Sequence, residues 1–167
     1  MSHIEDVDVL IEDKDLETLA EVLATFGATL KRGQTHYAWF GTSVGDYPLP
    51  KGFTAADLGH CDHAIKLPSA KYEIGVVRRK DGNGYTLLYD FWGQTQGLPL
   101  KTTFGDKLSK LTTAYGVAKA HREVARAQPR APQGSAGSQP RRPQGAREGR
   151  PRSRHSARWG RSAPRVE

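Results

Sequence analysis

Cysteine is nearly absent from this chain. The single Cys61 excludes an internal disulfide and a thiolate zinc cluster within one chain, which fits a reducing compartment. No apolar run approaches eighteen residues, and the first residues show neither a basic segment nor an apolar one of the kind that directs secretion. The expectation is a cytoplasmic protein without a membrane partner. A glycine-rich phosphate loop, a nucleophile elbow and a paired-acid motif are also missing, so no reaction class is favoured and no cofactor is expected. Lysine is wholly absent from the last forty residues, where acids are reduced to Glu148 and Glu167.

What those forty residues do contain is ten Arg and six of the chain's ten Pro, with Gly, Ser, Ala and Gln between them. They carry a formal +8 against a whole-chain charge of +7, so residues 1–127 sum to −1. Apart from Trp159 and Val166 the segment has almost no large apolar side chain to offset the entropy of ordering it, and residues 128–167 are read as a disordered tail. Its guanidinium groups, Arg141, Arg142, Arg147, Arg150, Arg152, Arg154, Arg158 and Arg161 among them, are candidates for nonspecific contact with nucleic-acid phosphates. A plain solvating extension, or a C-terminus of no selected purpose, fits the same composition.

Residues 1–127 have the length of one domain. Val7, Val9 and Ile11 alternate with Asp6 and Asp8, which predicts a half-buried strand from His3 to Ile11. Asp13 stands at an N-cap position, and Leu16, Leu19, Ala20, Leu23 and Phe26 follow at helical spacing until Gly27. Two short strand-like pieces fall between Thr29 and Phe40, and Gly41 to Gly59, with Pro48 and Pro50, reads as a long loop. Further strands are expected over 61–67, 71–79 and 85–91, the last two joined by a hairpin at Asp81-Gly82-Asn83-Gly84. Gly75 inside a strand implies a bulge or a close backbone approach. Beyond a turn-rich stretch from Gly93 to Pro99, Phe104, Leu108, Leu111, Tyr115 and Ala118 form one apolar stripe, predicting a single long helix to about Arg126. The order gives an α+β fold, a mostly antiparallel sheet covered on one face by two helices.

Gly59-His60-Cys61-Asp62-His63 is the most chemically suggestive run, since imidazole, thiolate and carboxylate all bind metals. If 61–67 is a strand, His60 and Asp62 face one way while Cys61 and His63 face the other, so a metal site needs His3 or His36 from a neighbouring strand. Ordinary polar residues at a strand start are the favoured reading, and no metal is expected. Cys61 as a nucleophile faces the same obstacle, because His60 and His63 lean to different sides. His3 is expected at the edge of the core, held by a hydrogen bond. Tyr72, Arg78, Arg79, Lys80, Tyr85 and Tyr89 interleave rings with cations as single-strand binders do, although Tyr72, Ile74 and Val76 share a face suited to packing under helices. Trp92, with Tyr47, Phe53 or Leu98, is a candidate anchor for a protein partner.

Several segments, in this order, carry a family resemblance: Met1-Ser2-His3-Ile4, Gly59-His60-Cys61-Asp62, Tyr72-Glu73-Ile74-Gly75-Val76, Tyr89-Asp90-Phe91-Trp92-Gly93 and Leu108-Ser109-Lys110-Leu111-Thr112-Thr113-Ala114-Tyr115. The chain thereby resembles domain of unknown function 1257, a family that includes the plastid and cyanobacterial conserved reading frame 35 protein. The resemblance implies a small soluble α+β protein of bacteria, phages or plastids and, because members are often encoded beside AAA-class ATPases, an accessory subunit. The Arg/Pro tail and the insertion-like loop around Asp46 to Phe53 depart from the family pattern. The expectation is therefore a non-enzymatic adaptor that binds a protein partner, for which an AAA-class ATPase is the candidate. Nucleic-acid binding through the tail is the alternative, and a metal- or Cys61-dependent enzyme a third class.

Overall fold

The computed structural model describes residues 3–127 except Val44 and Asp46. The tail reading of 128–167 lies outside the described residues. Five strands, β1 (Glu5–Ile11), β2 (Thr29–Arg32), β3 (His63–Lys66), β4 (Ile74–Arg78) and β5 (Tyr85–Tyr89), make one sheet in the order β1-β5-β4-β3-β2. Every neighbouring pair is antiparallel, so the two edge strands β1 and β2 run in the same direction. Helix α1 (Leu16–Thr25) joins them across one face, and the three later strands fill the gap between. The architecture is the α+β arrangement that the element order predicts.

Alternation in each strand separates two cores. Towards the helices point Ile11, Ile65, Ile74, Val76, Tyr85, Leu87 and Tyr89, which pack with Leu19, Val22 and Leu23 of α1 and Leu111 and Tyr115 of α3 (Ser109–Ala127). Tyr72, Ile74 and Val76 belong to this layer, as their shared face implies. The opposite face carries a second, smaller cluster of Ile4, Tyr37, Leu58, Ala64 and Leu88. Its cover comes from Tyr37, Trp39, Phe53 and Leu58, of which the last two fall in the stretch that the sequence presents as a long loop. The expected second strand piece before Phe40 reduces to one bridge between His36 and His60.

Two helix boundaries differ from the periodicity reading. The stripe from Phe104 to Ala118 is carried by two helices, because the chain breaks at Gly105 and passes through left-handed backbone at Lys107 (φ 49°) and Leu108 (φ 55°). The first of them, α2 (Leu98–Phe104), occupies part of the predicted turn region and buries Leu100 and Phe104 in the helix-side core. Phe104 at the end of α2, Leu108 in the turn between the helices and Leu111 in α3 are all still buried in the helix-side core, so the stripe survives the break. Asp13 is also not an N-cap: it lies in a 3-10 turn (Asp13–Asp15) and its carboxylate is engaged elsewhere. Three ion pairs tie α3 back to the β1–α1 region, Lys119 to Asp15 (2.9 Å) and Glu12 (3.3 Å), and Arg122 to Glu21. Among the described residues no helix is long and apolar enough to cross a membrane.

Candidate functional site

The segment over the second face is fixed at three points. Glu73, a buried acid just before β4, accepts hydrogen bonds at one carboxylate oxygen from the Gln34 side-chain amide (2.7 Å) and from the Ala38 N–H (3.0 Å). Its own N–H donates to the Ala38 carbonyl (2.8 Å). Tyr37 then lies flat on Gly75, where an ideal Cβ would stand 2.5 Å from ring carbon Cδ1. Gly75 is thus the close-approach glycine its position in a strand implies. Trp39 covers Gly59 in the same manner, with 2.6 Å between Nε1 and a would-be Cβ, and Gly59 also adopts φ +85°. With Tyr37 and Trp39 turned inward, His36 and Phe40 are left on the exposed side.

Phe40 meets Trp92 there, edge to face with ring centroids 5.6 Å apart, and both stay exposed, at 44% and 42%. The Trp92 N–H is held by the buried Asp90 carboxylate (2.8 Å), which fixes the backbone at the end of β5. Leu98 on the first turn of α2 is exposed at 45%. Tyr47 is exposed as well, but its ring stacks on His3 at 4.2 Å, while Phe53 is partly buried against the second-face cluster with the Lys80 ammonium above it. Of the four candidate anchors, Trp92 and Leu98 are the ones that present apolar surface without a ring or core contact of this kind, apart from Trp92's edge contact with Phe40. Sequence reasoning missed Phe40, whose exposure depends on the inward packing of Tyr37 and Trp39.

The His/Cys run is dispersed by the fold. Strand β3 starts at His63 rather than Cys61, so the assumed alternation does not extend back to Cys61. Cys61 packs with the second-face cluster and donates its thiol to the Gln34 carbonyl (2.9 Å), whereas His63 faces the helix side beside Tyr85. Burial, aided by the negative charges of Glu73 and Asp62, pushes the Cys61 thiol up to about 12, so it holds little thiolate at neutral pH. Asp62 accepts the Arg78 N–H (2.9 Å), and His3 is held by a hydrogen bond, to Glu5 (2.8 Å), as expected. Only His60 meets another candidate ligand, the His36 ring at 4.4 Å. Among the described residues no three His, Cys, Asp or Glu side chains gather as a metal site.

A polar cluster absent from the sequence reading lies on the helix side. The Tyr85 hydroxyl donates to Asp13 Oδ1 (2.6 Å) and accepts from Arg78 Nη2 (2.6 Å), while the guanidinium covers the Tyr85 ring at 4.6 Å. The Tyr85 bond, then Arg78, holds the Asp13 carboxyl below the usual carboxylate range; burial and Asp13 push Tyr85 up to about 12. His63 Nδ1 accepts the Gly33 N–H (3.0 Å), which places the imidazole hydrogen on the buried Nε2, where it has no partner. Burial lowers the His63 pKa below its ordinary value. Tyr72, Tyr85 and Tyr89 are all buried, so the interleaved rings and cations do not form a base-stacking platform. The Arg candidates from Arg141 to Arg161 lie outside the described residues. The chain matches no model of a known protein family, no curated protein and no solved structure.

Proposed function

We propose that the domain is a non-enzymatic adaptor that binds a protein partner through the surface around Trp92, Phe40 and Leu98. The observation that carries this reading is the exposed Trp92–Phe40 pair. Large rings left in water are costly for a monomer, and Trp is the side chain most enriched where interface energy concentrates. The pair stands on an anchored backbone, so little order has to be gained on binding. The high pKa of Cys61 argues against thiol catalysis at this site. From the resemblance to domain of unknown function 1257 we take an AAA-class ATPase as the partner to test first.

The experiment is co-precipitation of a purified AAA-class ATPase from the same genome with the full chain, compared with Trp92→Ser and Phe40→Ser. Capture by the parent chain and its loss in both variants, with unchanged circular dichroism, supports the adaptor reading. Equal capture by all three overturns the assignment of this surface. The charge of the tail supports a second reading, nonspecific nucleic-acid binding, whose signature is an affinity that falls steeply with salt and disappears on truncation after Ala127.

A further inference from the structure

His36 and His60 are brought together by the backbone itself. The Tyr37 N–H donates to the Gly59 carbonyl (2.9 Å) and the Cys61 N–H to the Thr35 carbonyl (3.0 Å), so the two histidines form the non-hydrogen-bonded pair of an antiparallel bridge. That is the position at which facing side chains come closest, with Cα atoms about 4.5 Å apart and both side chains on one side of the ribbon. The ring centroids stand 4.4 Å apart with planes at 50°, and both residues are exposed. Thr35 Oγ1 lies 3.0 Å from His36 Nδ1, leaving His36 Nε2 open, and neither ring nitrogen of His60 has a hydrogen-bond partner among the described residues. Nearby acids are committed elsewhere: Glu73 to Gln34 and Ala38, Asp57 to Thr54 and Lys80, Asp62 to the Arg78 N–H.

We propose that His36 and His60 chelate one late first-row divalent cation, such as Zn2+, with solvent in the remaining coordination positions. Neutral imidazole is a preferred ligand for these ions, and metal–nitrogen bonds of about 2.0–2.1 Å require the two nitrogens to lie within roughly 3–3.5 Å of each other. Rotation about the side-chain torsions of two exposed rings already in contact meets that requirement. The first imidazole to bind holds the ion beside the second, so the second bond forms intramolecularly. The clamp is also preorganised, because Tyr37, next to His36, is seated on Gly75, and Gly59, next to His60, is covered by Trp39. Two protein ligands leave coordination positions open, which suits a site that receives a further ligand rather than a closed structural centre.

The test is a ZnCl2 titration of the tag-free full chain, followed by thermal shift and by imidazole nitrogen NMR. The remaining histidines, His3, His63, His121 and His155, serve as internal references. The expected result is a saturable rise in Tm at one equivalent, with resonance changes confined to His36 and His60. The rise should be lost in His36→Gln and in His60→Gln and kept in His3→Gln and His121→Gln. The proposal is overturned if no saturable shift occurs, if the shift persists in the His36→Gln/His60→Gln double variant, or if the perturbed resonances belong to other histidines.

Discussion

Replacing Gly75 by Ala adds one methyl group to the middle of the sheet, and its cost should come almost entirely from a single ring. The ideal Cβ at this position falls 2.5 and 2.6 Å from Cδ1 and Cε1 of Tyr37, and Gly75 does not occupy the left-handed region, so the backbone itself accepts Ala. Tyr37 is 3% exposed and must lift off the sheet. An aromatic side chain buries about 150–250 Å², worth roughly 4–6 kcal/mol at about 25 cal/mol per Å². Partial relaxation of the ring brings the expected loss to about 2–4 kcal/mol. Urea unfolding followed by tryptophan fluorescence measures it, since Trp39 lies on the same segment. In a Tyr37→Ala background the clash is gone, and Gly75→Ala should be neutral or stabilising by up to about 1 kcal/mol because Gly weakens a strand interior. A similar loss in both backgrounds would refute the claim that Tyr37 is what makes this position a glycine.

Lys119→Met should destabilise the domain by about 3–5 kcal/mol in the same assay, because it strands the buried Asp15 carboxylate, and adding Asp15→Asn should recover part of the loss. Cys61 should react with a disulfide reagent at pH 7.5 far more slowly than free glutathione and speed up on unfolding, as its raised pKa requires; equal rates in the native protein would contradict it. His63 has a folded pKa below its unfolded value, so its contribution is present above about pH 6.5 and is lost as pH falls through the folded pKa. Urea midpoints measured from pH 7.5 to 5 should therefore decline less in His63→Asn than in the parent chain. Trp92→Ser should change stability by no more than about 1 kcal/mol, since the side chain is already substantially exposed and lies outside both buried clusters, while abolishing partner capture.

The helix-side core was legible in the sequence because it obeys period: the spacing of Leu16, Leu19 and Leu23 in α1 and of Leu111 and Tyr115 in α3 is visible without coordinates. The hairpin at 81–84 announced itself through residues that tolerate positive φ, and the Asp81 carboxylate does accept the Asn83 N–H. Helix α2 escaped notice because seven residues are too few to show a period. The second-face cover is illegible for a different reason. Tyr37, Trp39, Phe53 and Leu58 sit in a nonrepetitive stretch, and what buries them lies on β3, β4 and β5. The same holds for Asp13 with Arg78 and Tyr85, 65 and 72 residues apart, and for His36 with His60. Pairings made by tertiary packing leave no local pattern, so the candidate site exists only in the folded arrangement.

The strand order also sets a schedule for synthesis. Strand β1 pairs only with β5, whose first residue comes roughly 75 positions after Ile11. At a translation rate of about 5–20 residues per second, the nascent β1 waits roughly 4–15 s on the ribosome before its partner has been made. During that time Val7, Val9 and Ile11 have no sheet to join. Exposed Asp6 puts a negative charge on this edge strand, which opposes pairing with neighbouring nascent chains, so Asp6→Asn should lower the soluble yield of the protein more than the stability of what folds.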